Sequence, residues 1–184
     1  MKSLKYWLLV LGILSCFGCS SLIHEDNRGC SFICDSIQYR IEFMSAGCVR
    51  ILSYPEGDTL VTKRLVVDVE KPTFTDYKWE ETEQAFVFCT HELLVSFDKS
   101  DEAFTFREAS TGKLLLKEKD RRKARNFKRS EVGGEQCLEV TQRFIPTDEE
   151  AIYGLGQYQN GIMNYRGKSV LLLQANMDIV NPFL

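Results

Sequence analysis

The sequence predicts an all-β chain of short antiparallel strands, a sandwich or a barrel, and three observations carry that prediction. Apolar and polar residues alternate with a period of two in run after run, turn-forming residues stand between the runs, and no segment holds a helical period over three turns. Ile37, Gln38, Tyr39, Arg40, Ile41, Glu42 and Phe43 alternate without a break, so as a strand this stretch buries one face and wets the other. A helix would scatter the same residues around its circumference.

Similar runs predict strands at Cys48 to Ser53, Arg64 to Val69, Ala85 to Thr90, Leu93 to Phe97, Ala103 to Glu108, Lys113 to Lys117, Cys137 to Phe144 and Ser169 to Gln174. Turns are expected between them at Pro55-Glu56-Gly57-Asp58, Asp98-Lys99-Ser100-Asp101, Ser110-Thr111-Gly112 and Gly133-Gly134. Many short strands at turn-marked spacing belong to a sandwich or barrel.

At 184 residues the chain has room for one domain and a targeting segment. Its 44% hydrophobic and 27% charged residues suit a globular core, and a net charge of -3 gives no long-range attraction to phosphate backbones. Nucleic acid is therefore not an expected partner. Lys2 and Lys5 precede an apolar run from Tyr6 through Leu14 and then small residues, the order of a secretory signal. The run is shorter than the about 20 apolar residues that span a bilayer core. Ile13-Leu14-Ser15 before Cys16 resembles a bacterial lipobox, whose cysteine becomes the lipidated N-terminus; Cys19 after Gly18 is the alternative, and a cleaved signal without lipid is the third reading. The expected organisation is a signal over 1–19, a polar linker over 20–35 and a β-sandwich over 36–184. Such a chain is exported, periplasmic or at the cell surface, and held to the membrane by its lipid anchor.

Export lets thiols oxidise. Cys30 and Cys34 would lie about 13 Å apart along one extended strand, so a bridge between them needs a turn. Cys48, Cys89 and Cys137 fall in apolar runs and are expected as small buried hydrophobes. His24 and His91 are isolated from each other and no tight pair of cysteine pairs occurs, so neither a metal site nor a cofactor is expected. The stretch Lys117 to Arg129 is basic, with only Glu118 and Asp120 against its lysines and arginines. Lacking the interleaved aromatic platforms of single-strand binders, it reads as a solvated hairpin extension ahead of a polyanion patch.

Three stretches, in order along the chain, resemble one family. Cys48-Val49-Arg50-Ile51 leads into Tyr54-Pro55-Glu56-Gly57; Ala85 to Glu118 holds three strand patterns, the second with a Leu-x-Val core and the third running on to Gly112 and Leu114-Leu115. Ile152-Tyr153-Gly154-Leu155-Gly156-Gln157 is then followed by Gln159, Gly161, Asn164, Gly167, Leu172-Leu173-Gln174, Asn176 and Pro182-Phe183. Over about Ile37 to Leu184 this resembles the N-terminal galactose-mutarotase-like β-sandwich of glycoside hydrolase family 31, of the α-xylosidase and α-glucosidase type.

The resemblance implies an all-β, antiparallel β-sandwich and, in a whole enzyme, retaining chemistry on an oligosaccharide: one carboxylate attacks the anomeric carbon while a second protonates the leaving oxygen. In the family both aspartates sit on a (β/α)₈ barrel, the nucleophile in a Trp-x-Asp-Met segment. Here Trp7 and Trp79, in Lys78-Trp79-Glu80-Glu81, lack those neighbours, and no strand-helix alternation builds a barrel. No catalytic residue is expected in this chain, which alone should hydrolyse nothing. Its Asn181-Pro182-Phe183-Leu184 ending reads as a pattern interrupted before a C-terminal barrel. Glu80, Glu81 and Glu83, like Asp148, Glu149 and Glu150, read as solvated charge rather than a pair set across a cleft.

The resemblance also implies a sandwich loop that reaches over the barrel mouth and offers a carboxylate to the sugar. The matching segment is Asn176-Met177-Asp178, so Asp178 would accept hydroxyl hydrogen bonds with Asn176 bracing the loop. As a bare sequence, the same residues are also ordinary turn formers. Tyr153, Tyr158 and Tyr165 suit either stacking on a pyranose or filling a core. Gly154 and Gly156 are read first as structural, bending a strand or admitting another backbone. Three functions remain in view: the front domain of an exported α-glycosidase, a non-catalytic carbohydrate-binding surface lipoprotein, and an envelope sandwich that binds no sugar.

Overall fold

The structure, a computed structural model, describes residues 23–58, 74–120, 127–176, 178–181 and 183. The signal segment with Cys16 and Cys19, the run Arg64 to Val69, and residues 121–126 of the basic stretch lie outside the described residues. Every helix-or-strand element among the described residues is a strand. They fall into two compact units, one holding the chain up to Lys78 with Thr90–Glu92, the other Trp79–Cys89 and Leu93 onward.

The first unit is an antiparallel meander of β1 (His24–Asp26), β2 (Gly29–Cys34), β3 (Ile37–Ser45) and β4 (Cys48–Pro55), in that order across the sheet. The alternation in β3 does what period two requires: Tyr39, Ile41 and Phe43 are each 1% exposed. Pairing of Cys30 with Ile41 and of Phe32 with Tyr39 sets Cys30, Phe32 and Cys34 on the same buried side, with the Phe32 and Tyr39 rings stacked at 5.3 Å. The segment 20–35, read from sequence as a linker, thus contributes two strands. Its polar start hid the GCSFIC alternation, in which cysteine serves as the apolar residue. β2 runs without a turn through Cys30 and Cys34. Asp35 and Ser36 join β2 to β3 with φ of 47° and 64°, the left-handed pair that a two-residue hairpin needs to match strand twist.

Around this core Tyr77 stacks on Phe43 at 5.0 Å, donates its hydroxyl to Glu25 Oε1 at 3.1 Å and meets Cys30 Sγ at 3.5 Å. Burial pushes both the Cys30 thiol and the Tyr77 phenol above their ordinary ranges, so both stay protonated. Thr90 donates to the Ala46 carbonyl at 2.6 Å, tying the 90–92 segment to the β3–β4 turn.

Two even positions of β3, Arg40 and Glu42, carry charge. Arg40 forks onto Asp26 at 2.9 and 3.0 Å and reaches Glu42 at 2.9 Å, while Arg50 meets the other Glu42 oxygen at 3.3 Å. Glu42, only 2% exposed, lies between two guanidinium groups, one on each carboxylate oxygen. The Arg40 hydrogen bond holds Asp26 down at about 2, against an ordinary 3.8. A depressed carboxylate stabilises the fold above its unfolded pKa and loses that contribution as pH falls through the folded one. Asp26→Asn should therefore flatten the fall in unfolding free energy between about pH 4 and pH 2. The difference should stay within about 1 kcal/mol, because Asp26 is solvent-facing. Urea titrations at stepped pH measure it, and equal acid sensitivity in the two chains would contradict the assignment.

In the second unit β5 (Lys78–Glu81), β6 (Ala85–Cys89), β7 (Leu93–Asp98), β8 (Ala103–Glu108) and β9 (Leu114–Lys117) lie side by side in chain order. Register aligns Phe86, Phe97 and Phe104 in one cross-strand row and Phe88, Val95 and Phe106 in the next. Phe86, Phe88, Val95, Phe97 and Phe104 are fully buried, and the Phe97 ring sits 4.9 Å from that of Phe104. Burying a phenylalanine is worth about 2 to 3 kcal/mol, so this row dominates the unit's core. The Asp98 turn forms as expected, its Oδ1 accepting from Ser100 N, Ser100 Oγ and Asp101 N at 2.6 to 3.0 Å.

β10 (Phe127–Val132) and β11 (Glu135–Val140) form a hairpin turned by Gly133 and Gly134, both at positive φ. Lys128 and Arg129 lie exposed on it, Lys128 facing Glu139. Three sequence expectations fail here. The strand expected from Cys137 to Phe144 ends at Val140, with Phe144 reached only through an isolated bridge to Glu118. Cys137 and Cys48 are exposed and Cys89 half-buried, because Cys137 sits on a hairpin wet on both faces and Cys48 on the first position after a turn. Ser169 to Gln174 forms no strand, its leucines pointing outward. The last ladder, β12 (Gly156–Gln157) with β13 (Ile179–Val180), carries the candidate site.

Candidate functional site

The approach to β12 is pinned before it bends. Arg166 donates to the carbonyls of Thr147 and Glu150 at 2.6 Å each, and Asn164 Oδ1 accepts from the amides of Ile152 and Arg166 at 3.0 Å. Tyr165 N–H adds a bond to Ile152 O at 2.8 Å. The chain then takes three successive positive φ values, 108° at Gly154, 66° at Leu155 and 114° at Gly156. A leucine held left-handed costs about 1 to 2 kcal/mol and persists only where its surroundings fix it. They do: Leu155 N–H donates to Phe183 O at 2.8 Å, and its carbonyl accepts from Asn181 N–H and the Tyr158 hydroxyl at 3.1 Å each.

Gly156 is needed for a second reason. A methyl built there would overlap the Ile179 carbonyl and crowd Asn181 N at 2.8 Å, so the β12–β13 pairing closes only on a residue without a side chain. This accounts for Gly156 structurally, as the sequence reading has it. Pairing of Gly156 with Val180 and of Gln157 with Ile179 brings the Tyr153–Gln157 segment beside the Asn176–Asp178 turn. Two long backbone bonds of 3.3 Å between Ala175 and Asp178 close that turn. Gln174 Oε1 accepts from Val180 N–H at 3.0 Å.

Asp178 is half-buried and Asn176 exposed. Tyr165 is 7% exposed and meets Tyr158 edge-on at 6.2 Å, so Tyr165 belongs to the packing and Tyr158 has spent its hydroxyl on Leu155. Desolvation, then the charges of Tyr165 and Asp178, hold the Tyr158 phenol above its ordinary range, so it stays a neutral donor near the Asp178 carboxylate. Tyr153, 55% exposed, is the one of the three expected tyrosines that presents its ring to solvent. Gln174 stands in the family-like Leu172-Leu173-Gln174 pattern, but its bond to Val180 had no sequence signal, since a side chain bonding a backbone amide six residues on leaves no periodic trace.

The other nominated groups are surface charge. Glu80, Glu81 and Glu83 are exposed, with Glu81 paired to Lys99 at 2.6 Å; Glu150 Oε2 accepts from Thr147 N at 2.9 Å beside exposed Asp148 and Glu149. Among the described residues no group of three His, Cys, Asp or Glu side chains is placed to hold a metal ion.

Residues 38–181 match the family model of the glycosyl hydrolase 31 N-terminal galactose mutarotase-like domain. The chain belongs to that family. The sequence expectation of an antiparallel, galactose-mutarotase-like β-sandwich therefore holds for this glycosyl hydrolase 31 domain. It is 30% identical over 164 residues to an alpha-xylosidase of Saccharolobus solfataricus, across 81% of this chain and 21% of that protein. The crystal structure of a GH31 alpha-xylosidase from Xanthomonas citri superposes with a TM-score of 0.72 at 29% identity, covering 86% of this chain and 17% of its own. A GH31 alpha-xylosidase from a soil metagenome, complexed with xylose, shares the fold at a TM-score of 0.60 and 21% identity, over 85% of this chain and 25% of its own. This chain thus spans a quarter or less of the length of these relatives.

Proposed function

We propose that this chain is the N-terminal module of an exported retaining α-glycosidase of the α-xylosidase or α-glucosidase type, acting on oligosaccharides. In this reading a (β/α)₈ body supplies the two catalytic carboxylates. The sandwich supports that body and contributes to carbohydrate binding, and it catalyses nothing by itself. The observation that carries the reading is the Asp178 turn, held by the Gly154–Gln157 segment within a domain of the glycosyl hydrolase 31 family. A carboxylate there accepts from two sugar hydroxyls at once, and those bonds repay its desolvation only when both are made. Leu171, Leu173 and Phe183, exposed by 77%, 61% and 75%, supply apolar surface suited to packing against a larger body. Lipidation at Cys16, or at Cys19, would tether the enzyme to the membrane in the periplasm or at the cell surface.

Calorimetric titration of the chain with xylo- and gluco-oligosaccharides tests the sugar contact. Asp178→Asn should raise Kd by about tenfold or more, the worth of hydrogen bonds to a charged acceptor. Flat heats with every sugar would discard the contact. The second reading, a non-catalytic carbohydrate-binding surface lipoprotein, draws on the exposed Tyr153 ring, which suits stacking on a pyranose without any catalytic group. The reading frame after Leu184 separates the two: a barrel carrying that segment supports the enzyme, an in-frame stop the lipoprotein.

A further inference from the structure

We propose that Gln174 is a positioning residue for the Asn176–Asp178 turn, an inference that rests on the reading of Asp178 as a sugar contact. Among the described residues the turn has little else to hold it. Its own two closing bonds, between Ala175 and Asp178, are both 3.3 Å, at the long end of backbone geometry, and the ladder behind it contains only two residue pairs. Asn181 N–H bonds to Leu155 O on the β12 side. In an antiparallel ladder neighbouring amides point to opposite edges, so the N–H of Val180 points away from β12. Gln174 Oε1 takes that N–H at 3.0 Å. The bond spans the neck of the turn, from the residue before Ala175 to the second residue after Asp178, and closes a ring around Asn176 and Asp178.

The side chain acts through geometry alone. A carboxylate reaches two hydroxyls together only if its plane is fixed, and a turn free to splay at its neck loses that alignment. Gln174→Leu keeps the bulk and removes the acceptor, whereas Gln174→Glu keeps an acceptor oxygen on the same length of side chain. Amide exchange and sugar titration on the purified full chain provide separate readouts. In Gln174→Leu the Val180 amide should exchange about tenfold faster and the sugar Kd should rise about fivefold, one neutral hydrogen bond's worth. Its Tm should stay within a few degrees of the unmodified chain, because the aromatic sheet is untouched. Gln174→Glu should restore both values.

Unchanged exchange at Val180 in Gln174→Leu would overturn the clamp whatever the sugar does. Faster exchange with unchanged Kd, or no rescue of affinity by glutamate, would overturn the positioning role. Absence of any sugar binding by the unmodified chain, with the exchange effect intact, would remove the Asp178 contact and the positioning role together while leaving the clamp itself standing.

Discussion

Phe97→Ala should lower the unfolding free energy by about 3 to 5 kcal/mol, the usual loss for truncating a buried aromatic side chain. Phe97 is fully buried and central in its row, with Phe86 on one side at 6.4 Å and Phe104 on the other at 4.9 Å. Its removal strips area from three neighbouring strands and leaves a hole that the ladders keep from collapsing, since their registers are fixed by hydrogen bonds on both edges of β7. Urea denaturation measures the loss. Leu171→Ala, at a site 77% exposed, is the comparison and should move stability by no more than about 0.5 kcal/mol. Similar values for the two would mean that the phenylalanine row is not the core of its unit.

Gly156→Ala is the corresponding change for the site. Two penalties combine: the added methyl overlaps the Ile179 carbonyl, and φ of 114° is a conformation that side-chain-bearing residues avoid at a cost of about 1 to 3 kcal/mol. The cheapest escape is for β12 to leave β13, a ladder of two pairs. The variant should therefore keep its Tm within a few degrees while the Asn181 amide loses protection and sugar affinity falls by more than about tenfold. Retained protection at Asn181 would show that the ladder tolerates a side chain, and the close approach would lose its structural role.

How much of this was legible in the sequence depended on how directly a residue type reports its surroundings. The alternation of Ile37 to Phe43 and the phenylalanines of Ala85 to Glu108 fixed strand and face together, because one slip of register would expose every one of them. β2 escaped notice since its alternation runs through cysteines and its turn, Asp35-Ser36, contains no glycine to mark positive φ. Leu171-Leu172-Leu173 misled in the opposite direction: an apolar run implies burial only where something covers it, and these residues make no ladder. At the site, the resemblance nominated Asp178, and two flanking glycines hinted at a strained bend. What the sequence could not carry is the set of bonds that hold the bend, from Arg166, Asn164, Tyr158 and Gln174 to backbone atoms, since main-chain acceptors and donors are identical at every residue.

Within both large sheets each strand pairs with its immediate successor in the chain, across connections of two to five residues. The loop-closure entropy met at each step is therefore close to the minimum that antiparallel pairing allows, and it grows only slowly with length. A hairpin of this kind zips in about 1 to 10 μs, so each sheet can assemble strand by strand as the polypeptide emerges, with no early strand waiting on a distant one. The order of synthesis and the order of pairing coincide.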